Sequence, residues 1–259
     1  MSDKDLVLQI LYPGIGGHSS VAFSLIEGDV NKVFTHKLLG YGIEDPSLSF
    51  KNKADELKVN HMSVKKKKGI SVKSYFEVYK KIKQLKPDVI IMHSTSLIFF
   101  VWIYSFFNKI EFISVEHQSN DAKTRKDWFY SFLILTLSRK IVYLSEDYLL
   151  GIRKKFNRNF SGQTIKVINN GINTKKFKPK TKPKASDTLN FSMISRMTDL
   201  RDHYTLIDAF SIICKNNKYK LFLAGDGNTK KELEAYVSMK NMNCKIIFTG
   251  NLDENQVII

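Results

Sequence analysis

The sequence predicts an α/β fold with two doubly wound domains, each built on a parallel sheet, of which the second is incomplete. Short apolar stretches alternate with stretches of helical spacing along the chain, which is typical of βαβ units. Residues 178–188 are rich in lysine and proline and lack hydrophobic periodicity, which indicates a linker between two domains. Beyond this linker there are only three strand candidates, whereas a doubly wound domain usually needs about five or six.

The first domain, residues 1–177, opens with an apolar strand that runs into a glycine-rich turn and a helix beginning near His18. Further along, Pro87 closes a helical stretch and opens the next strand, because proline cannot continue a helix. Short strands separated by helices pair in parallel. The predicted strands are Leu6–Tyr12, Val33–Leu39, Asp88–His93, Glu111–Glu116, Ile141–Leu144 and Ile165–Ile168, and the predicted helices are Val72–Leu85, Ser96–Phe107, Lys123–Ser138 and Glu146–Phe156.

The second domain, residues 189–259, repeats the alternation of strands and helices. Its sequence ends at Ile259, ten residues after the last predicted strand. Either this segment packs tightly on the first domain or the sequence is a truncated version of a longer protein, and we expect the second. The predicted strands are Leu189–Ile194, Lys220–Ala224 and Lys245–Thr249, and the predicted helices are Tyr204–Cys214 and Thr229–Met239.

The composition is that of a folded cytoplasmic protein. Of the 259 residues, 43% are hydrophobic, which argues against wholesale disorder. Cys214 and Cys244 lie far apart in the sequence, where no Cys/His cluster has zinc spacing, and they are interpreted as reduced thiols. No signal peptide is visible at the N-terminus. The longest apolar run, Leu97–Phe107, is shorter than the ~20 residues of a membrane-spanning helix, so it predicts a buried helix or, alternatively, one that contacts a membrane surface.

The formal net charge of +16 favours anionic partners. Nucleotide phosphates and anionic lipid headgroups both fit this charge, and the sequence leaves both open. Nucleic acid is less favoured, because the chain has no RNA-binding signature, zinc finger or basic zipper. The lysine block Lys65–Lys68 is interpreted as a solvated surface loop.

A glycine-rich turn follows the first strand, with Gly14, Gly16 and Gly17 ahead of His18. Glycines at a strand-to-helix turn let backbone N–H groups approach an anion at the N-terminus of the helix. The pattern is not a complete dinucleotide fingerprint, and no acidic residue stands convincingly at the end of the second strand. A tight turn without a ligand therefore stays open as the alternative.

Two histidines follow predicted strands, His117 and its nearest competitor His93. Ligands of open α/β sheets bind at the carboxyl ends of the strands. A histidine there can donate a hydrogen bond to a sugar hydroxyl or a phosphate, although a single histidine is more often structural. The segment Val167–Asn173 contains an Asn-Gly turn signal, which by itself says only that a strand ends.

Two loops of the second domain also carry candidate residues. Arg196 and Arg201 lie between a strand and a helix, where two guanidinium groups can clamp a diphosphate. Gly225 and Gly227 form a turn after the next strand and can let the backbone approach a ligand. Solvation of the beginning of the helix is the alternative interpretation of the arginines.

These segments together resemble family 4 glycosyltransferases, from the first strand to Gly250. The Gly-Gly-His-Ser turn resembles the family's N-terminal glycine loop, and Val167 through Phe177 and Pro179 is similar to its interdomain signature. Other matching segments are Leu144–Glu146, Ser195–Phe210, Leu223–Gly227 with Leu233 and Glu234, and Ile247–Gly250. Each motif alone is weak, but their order and spacing together are fairly specific.

The resemblance implies a GT-B fold with two Rossmann-like domains, a donor bound between them, and retaining transfer from a nucleotide sugar with no cofactor and no essential metal. The implied acceptor is a polysaccharide or lipid-linked glycan. The resemblance gives His117 the catalytic contact with the transferred sugar. It assigns the donor diphosphate to Arg196, with Arg201 where the family usually has lysine. The other implied site residues are Gly225 and Gly227 on the donor side and Gly16, Gly17 and Asn170 lining the pocket.

One departure from the family pattern concerns its two glutamates eight positions apart. No pair of glutamates in this sequence has that spacing. We therefore expect this chain alone to have little or no transferase activity. The alternative hypothesis is a non-catalytic module that binds an acceptor or a membrane. The expected location is the cytoplasm, with or without peripheral contact at the inner face of a membrane.

Overall fold

Two compact units, Met1–Gly171 and Ile172–Ile259, divide the chain in this computed structural model. The structure describes residues 4–14, 17–67, 69, 71–157, 162–175, 177–178, 188–214 and 218–252. Apart from its two end residues, the predicted linker at 178–188 lies outside the described residues, as do Gly16 and Pro179.

The first unit contains a seven-stranded sheet in which every neighbouring pair is parallel. Its order is β3-β2-β1-β4-β5-β6-β7, so the direction of strand addition reverses between β1 and β4. The carboxyl ends at such a reversal form the crevice where open α/β sheets bind ligands. The strands are β1 (Leu6–Leu11), β2 (Thr35–Gly42), β3 (Asn60–Lys65), β4 (Val89–Met92), β5 (Glu111–Glu116), β6 (Lys140–Tyr143) and β7 (Thr164–Val167).

Helices cover both faces of this sheet. Successive residues of a strand point to opposite faces, so a single strand contributes side chains to two separate cores. Leu8 and Ile10 join the larger core with helices three to six, whereas Leu11 and Leu38 join the smaller core with the first two helices. The helices are α1 (Gly17–Gly28), α2 (Leu48–Glu56), α3 (Val72–Leu85), α4 (Ile98–Asn108), α5 (Arg125–Leu137) and α6 (Glu146–Phe156).

Side-chain caps determine where several helices begin. Ser71 accepts a hydrogen bond from the backbone N–H of Ser74 at the start of α3, and Ser145 caps α6 in the same way. Thr124 and Asp127 form a reciprocal capping box at α5. These caps satisfy N–H groups that the first helical turn otherwise leaves unpaired.

Two elements of the first unit, α2 and β3, were not predicted from the sequence. Only Phe50 and Ala54 of α2 are buried, and only Val64 of β3, which lies at the edge of the sheet. Edge elements with so few buried positions give a weak hydrophobic pattern. The interpretation of the lysine block as a loop needs one correction, because Lys65 is the last residue of β3 and pairs with Asp45.

The aromatic run forms α4, an eleven-residue helix. Ile98, Val101 and Tyr104 are buried in the larger core. Phe106 and Phe107, on the opposite side, keep 69% and 73% of their surface exposed. Across the described ranges, no helix is both long enough and apolar enough to cross a bilayer.

The second unit contains a three-stranded parallel sheet in the order β10-β9-β8. Leu221, Leu223 and Ile246 of the sheet pack with Phe210 and Leu233 of two helices. The elements are β8 (Leu189–Ile194), α7 (His203–Ile213), β9 (Tyr219–Ala224), α8 (Lys230–Met239) and β10 (Ile246–Gly250). Two parallel α/β sheets were predicted from the sequence, and that prediction is confirmed.

Candidate functional site

Three histidines meet at the carboxyl edge of the first sheet, beside the reversal of strand order. His18 is the second residue of α1, His93 follows β4, and His117 follows β5. The Nδ1 atom of His93 lies 2.8 Å from Nε2 of His117, within hydrogen-bond distance. The ring of His18 lies against the ring of His117 with 4.3 Å between centroids. We call His18, His93 and His117 the histidine cluster.

Gln9 anchors the histidine cluster from inside the protein. Its Oε1 lies 3.1 Å from Nε2 of His93, and its Nε2 donates to the carbonyl of Ala22 at 3.3 Å. Gln9 and His93 are both fully buried, whereas His117 and His18 are half-buried. A buried polar group costs free energy unless it is hydrogen-bonded, and this chain of contacts satisfies both of the fully buried side chains.

Burial keeps the imidazole rings of the cluster neutral. It lowers the pKa of His117 to about 3, with a smaller contribution from the neighbouring His18. Burial also lowers the pKa of His18, and it holds the pKa of His93 well below its usual value, with a further contribution from the other two rings. Neutral imidazoles act as hydrogen-bond donors and acceptors but carry no charge for a phosphate.

A buried ion pair supports the segment that follows β5. Glu116, the residue before His117, pairs with Lys123 and accepts a hydrogen bond from Ser131 of α5. Both charged side chains are almost fully buried, and Nζ of Lys123 lies 4.8 Å from the ring centroid of Trp128. The ion pair joins the two ends of the segment that contains His117, and the hydrogen bond from Ser131 ties the end of β5 to α5, so together they restrict the position of the histidine.

His117 and His93 were both singled out from the sequence, and the structure brings them together. Gln9 and the ion pair between Glu116 and Lys123 were not identified from the sequence as part of the site. Gln9 is a single polar residue in the strand Leu6–Leu11, and that interruption was the available signal. The pairing of Glu116 with Lys123 has no sequence signal, because only the tertiary structure brings the two side chains together.

The glycines of the first turn have different roles. A β-carbon at Gly14 would lie 2.2 Å from the ring of Tyr12, so a larger residue at this position would require that ring to move. Gly17 is exposed, has no atom within 4 Å of the place that a β-carbon would occupy, and directly precedes His18. Asn170 is exposed beyond β7, two strands along the sheet from His117, a separation on the order of 10 Å.

In the second unit, the loop that follows β8 and the loop that follows β9 contact each other through backbone hydrogen bonds. Ser195 N donates to Ala224 O at 3.0 Å, and Met197 N donates to Asp226 O at 3.0 Å. A β-carbon at Gly225 would lie 2.0 Å from the carbonyl oxygen of Ser195, and Gly225 has a φ of +137°. The close approach expected at Gly225 and Gly227 is therefore an approach to the chain's own backbone, since Gly227 meets the carbonyl of Met197 at the same distance.

Arg196 and Arg201 are exposed on the first of these loops. Within the described ranges, neither guanidinium forms an ion pair with a carboxylate. The loop is held instead by His203, which is buried and lies 3.2 Å from Oγ of Ser195, and by Asp202, which caps α7. The structural role of His203 was not predicted from the sequence.

A cavity of about 480 Å³ lies beside the second loop of this unit. Lys230 and Lys231 at the beginning of α8 belong to its lining, and Nζ of Lys230 lies 3.4 Å from a carboxylate oxygen of Asp226. The lining residues are Asp226, Gly227, Asn228, Lys230, Lys231 and Glu234.

Two family models match this chain. The model described as Glycosyltransferase Family 4 matches residues 15–176, which is more than half of the chain. The model described as Glycosyl transferases group 1 matches residues 174–259. No curated protein sequence matches the chain significantly.

Solved structures of the same fold are distant in sequence. The crystal structure of Anabaena Alr3699/HepE in complex with UDP and glucose has 14% identity and a TM-score of 0.75, covering 97% of this chain and 70% of that chain. The lipopolysaccharide outer core galactosyltransferase WaaB in its apo form has 15% identity and a TM-score of 0.62, covering 98% and 70%.

A third similar structure is a TarM variant of S. aureus in complex with fondaparinux, alpha-GlcNAc-glycerol and UDP. It has 12% identity and a TM-score of 0.68, covering 96% of this chain and 78% of that chain. At these identities the likeness concerns the fold, and it confirms the GT-B fold class predicted from the sequence.

The neutral histidine cluster predicts that the first unit loses stability in mild acid. Each ring has a folded-state pKa below the ordinary value of 6.5, so the unfolded chain binds more protons below that pH. The free energy of unfolding should be unaffected by these groups above pH 6.5. It should fall as the pH decreases from there towards about 3 for His117, by at most about 1.4 kcal/mol per pH unit for each histidine.

Urea unfolding between pH 7 and pH 4.5, followed by the fluorescence of Trp102 and Trp128, measures this slope for the first unit. The substitution His117→Gln should make the slope shallower. Equal slopes for the wild type and the variant would contradict the assignment.

The contact between the two loops of the second unit predicts a large cost for Gly225→Ala. The new methyl group would collide with the carbonyl of Ser195 at a backbone φ that favours glycine, so we expect a loss of about 2–4 kcal/mol in the stability of the second unit. Gly171→Ala is the matched control, because no atom lies within 4 Å of its β-carbon position. Hydrogen exchange of peptides from β8 and β9 measures the stability of the second unit in both variants. Similar protection in the two variants would refute the contact.

Proposed function

This chain belongs to glycosyltransferase family 4, and we propose that it serves the transfer of a sugar from a nucleoside diphosphate sugar to a polysaccharide or lipid-linked glycan. The observation that carries the proposal is the histidine cluster at the reversal of strand order, where open α/β sheets bind ligands. The complexes of UDP with glucose in Alr3699/HepE and of UDP in TarM support a nucleotide sugar as the donor. The transfer proposed is a retaining one that uses no essential metal or cofactor.

The first unit is proposed to be the acceptor side, with His117 in contact with the transferred sugar. A neutral, half-buried imidazole can form a hydrogen bond with a hydroxyl group without attracting competing anions. Gly16, Gly17 and Asn170 are proposed to line the same pocket. The exposed backbone at Gly17 and its position directly before His18 support that placement.

The second unit is proposed to bind the donor diphosphate through Arg196 and Arg201. Both guanidinium groups are exposed and form no ion pair within the described part of the chain, so they are available to phosphate oxygens. Guanidinium groups form bidentate, charge-assisted hydrogen bonds with such oxygens. Gly225 and Gly227 contribute indirectly, because their contacts with Ser195 and Met197 position the arginine loop.

Donor binding and sugar transfer are separable in this proposal. A polypeptide of this sequence has no glutamate pair eight positions apart, so we expect it to bind the donor but to transfer sugar poorly by itself. Transfer at the rate of an intact family member would contradict that expectation.

Calorimetric titration with a panel of nucleoside diphosphates and their sugar conjugates tests donor binding. Arg196→Ala should weaken binding roughly 10- to 100-fold, the effect of losing a hydrogen bond to a charged group. Arg153→Ala on the exposed side of α6 is the matched control and should leave binding unchanged. Equal losses in both variants would contradict the assignment of Arg196. If no nucleotide binds at all, the non-catalytic acceptor-binding module becomes the better explanation.

A peripheral contact with an anionic membrane is proposed for the outer surface of α4. This helix lies next to α3 and α5, and exposed phenylalanines of all three helices share that side of the unit. The lining of a cavity of about 440 Å³ beside Phe106 includes Lys109 and Arg139, which complement a lipid phosphate, and Lys140, which is paired with Glu111 of the same lining. Exposed aromatic side chains among basic residues are typical of interfacial binding. The phenylalanines are Phe76, Phe99, Phe106, Phe107 and Phe129.

Sedimentation with vesicles of phosphatidylcholine, with and without phosphatidylglycerol, tests this contact. Replacing Phe106 and Phe107 with serine should reduce binding to the anionic vesicles at least about tenfold, because two exposed rings no longer enter the interface. Replacing Val30 and Leu48, which are equally exposed on the other side of the unit, is the matched control. Similar losses in both double variants, or no dependence on phosphatidylglycerol, would contradict the proposal.

A further inference from the structure

A chain of hydrogen bonds determines which nitrogen of His117 carries its proton. It begins at the carbonyl of Ala22, which can only accept. The end of the Gln9 side chain that faces this carbonyl at 3.3 Å must therefore be the amide NH₂ group. The other end, Oε1, faces Nε2 of His93 at 3.1 Å. Because an amide oxygen only accepts, Nε2 of His93 carries a hydrogen.

The chain of hydrogen bonds continues from His93 to His117. His93 is fully buried, and its pKa lies well below the usual value because of burial. A neutral imidazole has one N–H, so Nδ1 of His93 is unprotonated and can only accept. It lies 2.8 Å from Nε2 of His117, which must be the donor. Burial also keeps His117 neutral, so its Nδ1 is left without a proton.

We propose that Gln9 and His93 are positioning residues that hold His117 in its Nε2–H tautomer, so that Nδ1 accepts a hydrogen bond from a hydroxyl of the bound sugar. The ligand part of this proposal rests on the proposed function. No residue in the described part of the chain forms a hydrogen bond with Nδ1 of His117, and the ring is half-buried rather than enclosed.

This tautomer restricts which chemical group can lie next to Nδ1 of His117. A hydroxyl donates its hydrogen to the lone pair, whereas a phosphate or carboxylate oxygen presents a second acceptor and is repelled. The sequence-based expectation that His117 donates to a hydroxyl or a phosphate is therefore replaced by an acceptor role towards a hydroxyl. A sugar that carries a carboxylate or no oxygen at that position would bind less well.

The burial of Gln9 supports a positioning role. Gln9 interrupts an otherwise apolar strand at a fully buried position, where a leucine would pack without needing hydrogen-bond partners. Its two amide ends bond to Ala22 and to His93, so it transmits the orientation of the α1 backbone to the histidine cluster. Residues behind a functional imidazole determine its tautomer in this way at metal sites as well.

Nuclear magnetic resonance of the protein labelled with ¹⁵N at its six histidines tests the tautomer directly. Correlations from the ring carbon protons distinguish protonated from unprotonated nitrogens. We expect His93 and His117 of the wild type to be protonated at Nε2 and unprotonated at Nδ1. A proton on Nδ1 of His117 would overturn the proposal, and this measurement requires neither a variant nor a ligand.

The substitution Gln9→Leu removes the acceptor that fixes the proton of His93 on Nε2. We expect His117 to populate both tautomers in this variant, and we expect its affinity for a nucleoside diphosphate sugar to fall roughly fivefold. Affinity for the parent nucleoside diphosphate should stay the same, which a general loss of structure would not produce. Gln84→Leu on the exposed side of α3 is the matched control and should change neither quantity.

Two other outcomes would decide against separate parts of the proposal. An unchanged His117 tautomer in Gln9→Leu would overturn the positioning role of Gln9. If no nucleotide binds to the wild type, the proposed function fails and the ligand part of this inference fails with it. The tautomer itself is decided by the spectra of the protein alone, so the two failures are distinguishable.

Discussion

The reversal of strand order between β1 and β4 is the constraint on which the first unit depends. When helices cover both faces of a parallel sheet, polar side chains can gather only where the strands begin and where they end. The reversal opens a crevice at the carboxyl edge, because the connections that follow β1 and β4 leave on opposite faces. His18, His93 and His117 contact one another there although each lies at least 24 positions from the next in the sequence.

The buried polar side chains at the histidine cluster and at the end of β5 are held by hydrogen bonds and an ion pair. The fully buried Gln9 and His93 bond to each other, and Glu116 bonds to Lys123 and Ser131 one strand further along. Removing one member would leave an unpaired polar group in an apolar interior, which costs more free energy than the hydrogen bond itself contributes. The interior thus keeps the imidazoles neutral and in one arrangement, which suits recognition of hydroxyl groups better than attraction of phosphates.

In the second unit, the candidate site is fixed mainly by backbone contacts rather than by buried polar side chains. Its two loops are joined by backbone hydrogen bonds, and glycine is needed because the carbonyls of Ser195 and Met197 occupy the space of a side chain. The buried His203 adds a hydrogen bond to Ser195. The loop backbone is therefore fixed by these contacts, while the side chains of Arg196 and Arg201 stay exposed.

The sequence by itself determined the elements that have a strong hydrophobic pattern. The strand Leu6–Leu11 is an apolar run interrupted only by Gln9, and the helix Val72–Leu85 buries side chains at helical spacing, so both were identified from the sequence. The two-sheet α/β architecture was predicted from the alternation of such elements. The exposed edge elements α2 and β3 bury too little to leave a pattern. Only the tertiary structure decided that Gln9 stands behind His93, because a contact between residues 84 positions apart depends on strand order.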